Sequence, residues 1–214
     1  MVMVPILRDS QGSTECQTDP LPLAAVLRSL GMADEMMIVR ATDATVVPWR
    51  NGGGSTREYF KVGGDDFDWR LSVAQIVQPG PFSAFPGIDR ILVLLSGDGV
   101  HLRFGTAEST TLAQPLDHVR FAGETAVDST PLGGPTTDLN LMWRRDRFTA
   151  DVEVARLTAP TVLGGGGMGV AFVASGTLHV GDHELRTGDA VRWQGGLNVG
   201  ASNATLVHFT LLNR

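Results

Sequence analysis

The sequence predicts an all-β protein, an antiparallel sandwich or barrel, and three observations carry that reading. From Ile38 onward helical periodicity is nearly absent. Short apolar or alternating runs are instead separated by Gly, Pro and Asp at regular intervals, the pattern of strands joined by tight turns. The third observation is that one order of strands occurs twice along the chain.

The elements follow in order. Met1 to Pro20 is polar and unpatterned, and it lacks the basic start and apolar core of a secretory signal. Asp19-Pro20 can cap a short helix over Leu21 to Leu30 that Gly31 would stop. Residues 1–36 are therefore expected to be an N-terminal extension, a loose tail with a short helix, and removing it is expected to leave the fold intact. Patterned chain begins at Met36-Met37-Ile38-Val39-Arg40. Strands are predicted over Thr56 to Lys61, Trp69 to Val77, Ile91 to Leu95, Val100 to Phe104, Val119 to Phe121 and Leu139 to Arg144. A second group runs over Glu153 to Leu157, Val170 to Ala174, Leu178 to Val180, Ala190 to Trp193 and Thr205 to Leu212. Gly164-Gly165-Gly166-Gly167, without polar neighbours, is expected to be a flexible loop.

The repeat is specific. Leu94-Leu95-Ser96-Gly97, Val100-His101, Asp117 and Val119-Arg120-Phe121 recur as Val173-Ala174-Ser175-Gly176, Leu178-His179, Asp189 and Val191-Arg192-Trp193. Each copy is a strand, a Ser-Gly turn, a second strand and an Asp just before a third strand, with extra loop in the first copy. This unit resembles the cupin barrel. The metal-ligand positions of the two cupin motifs fall on Pro86, Ile88 and Leu92 in the first half and on Val199 in the second, and none of these binds a metal. The resemblance implies a double cupin, or bicupin, of two antiparallel β-barrel or jelly-roll halves: 37–145, and a degenerate 146–214.

Composition narrows the function classes. A net charge of -6 and a pI near 5.3 oppose attraction to phosphate backbones and anionic lipid, so nucleic acid and membrane are not expected partners. A single cysteine, Cys16, cannot form an internal disulfide, and no apolar run reaches the roughly 18 residues that span a bilayer. A cytoplasmic protein, monomer or homodimer, is expected.

Four ordered motifs, Trp49 to Glu58, Phe67 to Ala74, Gly80 to Arg90 and Asp138 to Arg145, are similar to those of the HutD/Ves family of bacterial double cupins. The resemblance implies ligand binding in a regulatory role, associated with histidine utilisation or stress response, and no reaction. Within Trp49-Arg50-Asn51-Gly52-Gly53-Gly54-Ser55-Thr56 no lysine precedes Ser55 and a strand, not a helix, follows. That disfavours a Walker phosphate loop and leaves either a tight turn or backbone amides facing a ligand. Alternation over Phe67 to Val77 sends Phe67, Trp69, Leu71 and Val73 to one face and Asp68, Arg70, Ser72 and Ala74 to the other. Asp138 and Asn140 likewise share a face opposite Leu139, Leu141 and Trp143. In a sandwich the polar faces would meet water; in a cupin barrel they line the cavity. An enclosed arginine needs a carboxylate, because an unpaired buried charge costs several kcal/mol. Arg57 and Arg70 can each fork onto one, supplied by a ligand or by Glu58, Asp68 or Asp138.

The expected ligand-binding set is therefore Trp49, Asn51, Gly53, Arg57, Arg70, Ser72, Ser83, Asp138 and Asn140. The expected partner is a small anionic metabolite, with urocanate and formimidoylglutamate as candidates, and no cofactor or metal. His179 and His183 flank a Gly181-Asp182 hairpin turn and read as exposed, while His101, His118 and His208 are isolated. No nucleophile-base pattern supports covalent catalysis. Two alternatives remain open: a metal-independent isomerase or hydrolase using Asp68, Asp89 or Asp138 as acid or base, and an interaction protein with a vestigial pocket.

Overall fold

The structure, a computed structural model, describes residues 36–49, 54–106, 108–200 and 203–214. The predicted N-terminal helix lies outside them. Sixteen strands follow one another, and among the described residues there is no helix. The first eleven are β1 (Met37–Val39), β2 (Thr45–Pro48), β3 (Gly54–Val62), β4 (Trp69–Ile76), β5 (Gly80–Pro81), β6 (Ile88–Ser96), β7 (Val100–Phe104), β8 (Glu108–Leu112), β9 (His118–Ala122), β10 (Val127–Pro131) and β11 (Thr136–Arg144). The rest are β12 (Phe148–Leu157), β13 (Thr161–Val180), β14 (His183–Arg186), β15 (Ala190–Val199) and β16 (Ala204–Asn213). Every pairing between them is antiparallel.

Three sheets result. The central one has the order β2-β3-β4-β11-β6-β9, a second β5-β10-β7-β8, and a third β1-β15-β13-β16-β12 with β14 attached to β13. The central sheet is buried on both faces, which explains the near-continuous apolar run Ile91-Leu92-Val93-Leu94. Leu92, Leu94 and Ile76 pack on Val100, Leu102, Leu112 and Val127 of the second sheet. The opposite set, including Trp69, Leu71, Leu139, Leu141 and Trp143, packs on Val170, Phe172, Val207 and Phe209 of the third. At about 25 cal/mol per Å² and roughly 150–250 Å² for a large aromatic, Trp69 and Trp143 each contribute on the order of 4 to 6 kcal/mol there. The third sheet's far face, with Val173, Val191 and Leu206, is closed by Leu178, Val180 and Leu185 of the β13-β14 hairpin.

The repeat read from the sequence is present in backbone hydrogen bonds. Leu94 N–H donates to the Asp117 carbonyl at 2.9 Å and Leu116 N–H to the Leu94 carbonyl at 2.7 Å. In the second copy Val173 N–H donates to Asp189 at 2.9 Å and Gly188 N–H to Val173 at 2.8 Å. Asp117 and Asp189 each accept a bond from the backbone N–H three residues earlier, Gln114 and Arg186. Leu116 adopts φ +77° where the second copy has Gly188 at φ +93°, so the same turn is held once by a residue that pays strain for it.

Several strands differ from expectation. Val170 to Ala174 and Leu178 to Val180 belong to one long strand, β13, which also contains the four glycines expected to be a loop; its pairing with β15 shifts register between Gly164 and Met168. Gly165, Gly166 and Gly167 have no partner on β15, so the glycines form an irregularity across which the ladder resumes at Met168. β8, Glu108-Ser109-Thr110-Thr111-Leu112, has one buried residue, Leu112, and so lacks an apolar pattern; it pairs with β7 as β14 pairs with the end of β13, so each copy carries one unpredicted strand between its second and third. β1 joins the third sheet, on β15, although it precedes every strand of the central one.

Candidate functional site

Period two places the inward side chains of the central sheet in rows. One row runs Glu58, Ser72, Asn140, Leu92 across β3, β4, β11 and β6; a neighbouring row runs Arg70, Met142, Arg90. A third, Thr56, Ala74, Asp138, Leu94, lies on the other side of the first. Between these rows and the segment after β5 lies a cavity of about 440 Å³. Its floor is Arg70, Ser72, Asn140, Arg90 and Leu92; Phe82, Ser83 and Phe85 form one wall, and Trp49 with Thr56 forms another.

The walls are fixed by backbone contacts. Phe82 N–H donates to the Val127 carbonyl at 2.8 Å, and Phe85 N–H to Gly123 at 2.8 Å. A side chain at Gly123 would lie 2.6 Å from the Phe85 carbonyl, so only glycine lets this segment approach. Trp49 is held by a hydrogen bond from its indole Nε1 to Thr56 Oγ1 at 2.8 Å and by its N–H to the Gly54 carbonyl at 2.9 Å. A Cβ at Gly54 would sit 3.1 Å from the Trp49 ring and 2.1 Å from the Gln75 carbonyl. At least this last glycine of the triplet is there for close approach.

The electrostatics are cationic. Arg90 is only 6% exposed, and among the described residues no carboxylate pairs with it. Its guanidinium lies 5.0 Å from the Phe82 and Phe121 ring centres and 5.9 Å from that of Phe85, and its Nε has no hydrogen-bond partner among the described residues. Aromatic faces offset part of the lost hydration, about 0.5 to 2 kcal/mol each, without neutralising the charge. Burial, and then the neighbouring Arg70 charge, bring the Arg90 pKa down to about 10, so it stays charged at neutral pH. Arg70 lies 5.2 Å from Phe67 and 5.8 Å from Phe85, with Glu58 3.9 Å away. Burial lowers its pKa and Glu58 partly restores it. Asn140, 5% exposed, has an Oδ1 without a donor among the described residues.

Of the expected binding residues, Trp49, Arg70, Ser72, Ser83 and Asn140 line this cavity. Asn51 and Gly53 lie outside the described residues. Arg57 does not belong to the cavity: it pairs across the sheet with Val73, opposite in direction to Thr56 and Glu58, and its Nη1 donates to the Ala41 carbonyl at 2.9 Å. Asp138 is not on the lining either. It is fully buried in the row beyond Asn140, where Thr136 Oγ1 donates to its Oδ2 at 3.3 Å and Oδ1 has no partner among the described residues. Desolvation raises its pKa to about 7, only partly opposed by the Thr136 hydroxyl. Asp68 pairs with Arg147 at 2.6 Å and Asp89 with Arg145 at 3.0 Å, so none of the three carboxylates weighed as acid or base reaches the lining.

Sequence reasoning missed Arg90, Thr56, Phe82 and Phe85. Arg90 was legible in principle: carrying the alternation of Leu92 and Leu94 two residues back puts it on the inward face. Among the described residues no group of three His, Cys, Asp or Glu could hold a metal. His208 is buried and stacks on Trp193 at 5.4 Å, whereas His179 and His183 are exposed beside the β13-β14 turn.

An all-antiparallel, cupin-like β protein with a cationic, aromatic-walled cavity is thus defined by fold and site. The profile of the HutD family matches residues 41–207, and the chain belongs to that family. It is 43% identical over 153 residues to Protein Ves of Citrobacter koseri, covering 69% of this chain and 78% of that protein. It is 39% identical over 122 residues to an uncharacterized 21.2 kDa protein in the hutC 3' region of Pseudomonas putida, covering 56% of this chain and 64% of that one. Among solved structures, HutD from Pseudomonas fluorescens SBW25 superposes with a TM-score of 0.73 at 27% identity, over 84% of this chain and 99% of its own. No helix among the described residues is long and apolar enough to cross a membrane.

Proposed function

We propose that this chain is a metal-free bicupin that binds a small carboxylate-bearing metabolite in the cavity of its first half and acts, without catalysis, as a cytoplasmic sensor or buffer. The observation that carries the reading is Arg90: a nearly buried charge held among aromatic rings with no carboxylate among the described residues to neutralise it. Such a site is completed by a ligand anion, which both Arg90 and Arg70 can receive with charge-assisted hydrogen bonds. Relatives named HutD, or placed beside hutC, support a role in histidine utilisation.

Titration calorimetry with urocanate, histidine and formimidoylglutamate tests this. At least one is expected to bind at micromolar to millimolar Kd, about 4 to 8 kcal/mol. Arg90→Met and Arg70→Met are each expected to weaken that binding at least about tenfold, the scale of one charged hydrogen bond or more. Wild-type protein indifferent to all three removes the ligand assignment, and equal binding by the arginine variants removes the pocket assignment.

A further inference from the structure

The cavity is charged at one end and apolar at the other, and the apolar end says what the body of the ligand must be. Arg70 and Arg90 share one row of the central sheet, whereas Thr56 and Ala74 share a row further along the same strands. Arg70 and Ala74 are four residues apart on β4, so the two rows are separated by about 13 Å. Trp49 is fastened at the far row, where its indole Nε1 donates to Thr56 Oγ1 at 2.8 Å. That bond uses the one polar group of the ring, so what Trp49 turns to the cavity is an apolar surface. Ala74 and Pro48 line the same end and add only carbon.

The charges are few. Among the described residues, Arg70 and Arg90 are the only charged side chains on the lining. Glu58, 3.9 Å from Arg70, offsets one of them, so the cavity is completed by a single negative charge. At the Trp49 end a second carboxylate would lose its hydration with no described cation to replace it, whereas an apolar group gains by leaving water.

We infer that the ligand is a monoanionic amphiphile: one carboxylate for Arg70 and Arg90, and an uncharged, largely apolar body that extends along the sheet to pack on Trp49. The inference rests on the carboxylate reading above and specifies the rest of the molecule.

Three acids with one head group test it by titration calorimetry. Butyrate has the carboxylate without a body, 4-phenylbutyrate adds an apolar ring, and 4-(4-carboxyphenyl)butyrate puts a second carboxylate on the far side of that ring. In wild-type protein 4-phenylbutyrate is expected to bind at least about tenfold more tightly than butyrate, because the ring leaves water. It is also expected to exceed the dicarboxylate by at least about tenfold, because the second charge finds no partner. Trp49→Ala is expected to weaken 4-phenylbutyrate at least about threefold, the scale of one aromatic contact, and to leave butyrate unchanged. Butyrate or the dicarboxylate matching 4-phenylbutyrate in wild type overturns the inference and leaves the arginine anchor standing. Undiminished 4-phenylbutyrate binding by Trp49→Ala overturns it as well. If none of the three acids binds, the carboxylate reading fails and the inference falls with it. The wild-type series alone decides the matter should Trp49→Ala not fold.

Discussion

Arg90 and Asp138 are two buried ionisable side chains of the central sheet, and each makes the free protein less stable than it could be. Arg90→Met keeps an unbranched apolar stem and removes a charge that no described carboxylate neutralises. The free variant is expected to unfold at higher denaturant than wild type, by about 1 to 3 kcal/mol, while losing affinity for the acid. A lower midpoint would mean that a counter-ion already satisfies Arg90. For Asp138 the sign follows from a folded pKa near 7, above the ordinary value of 3.8. Between those values the folded chain holds a proton that the unfolded chain has released, so stability falls as pH rises from about 4 to 7 and levels off above. Asp138→Asn is expected to flatten that slope and to be more stable than wild type at pH 8, by a few kcal/mol at most. Parallel denaturation curves at all pH values would show that Asp138 does not titrate in this window. Asn140 and Arg70 were legible in the sequence because alternation reaches them from apolar neighbours on both sides. Arg90 was passed over, although the same alternation reaches it, since the predicted strand began at Ile91, three residues inside β6, and Arg57 lies off the cavity because a polar residue on an edge-proximal strand can face either way.

Strands with an apolar inward face were visible in composition, and those without were not. β7 was read to the residue, whereas β8, β10 and β14 carry mostly polar side chains and are strands because a neighbour supplies the ladder. Glycines divide the same way. Gly176 lies within β13 at φ +82°, and a side chain there would lie 1.8 Å from the Asn203 carbonyl, whereas Gly166 has open space around it. Gly176→Ala is expected to cost about 2 to 4 kcal/mol and Gly166→Ala to stay within about 0.5 kcal/mol, read from urea midpoints. Equal effects would mean that β13 relaxes freely around Gly176 and that its pairing with β16 is not pinned there.

The central sheet ties the described residues from Met36 onward into one compact unit, because its outer face is half of a core shared with the third sheet. The repeat legible in sequence therefore marks two copies of a strand pattern that do not bury their apolar faces alone. Expressed by itself, 37–145 would expose Trp69, Leu71, Leu141 and Trp143, and it is expected to lack a cooperative thermal transition; a sharp two-state transition would show that the half folds independently. What this shared core holds in place is a pair of guanidinium groups at one end of a cavity. Following the arginine Nε–H signals by NMR during titration with urocanate, and then with acetate, reads that pair directly. The Arg70 and Arg90 signals are predicted to shift together along one saturation curve while those of Arg57 and Arg103, which bond outside the cavity, stay still. Signals of Arg70 and Arg90 that stay fixed under both acids, or a shift that falls on Arg57 instead, would contradict the account.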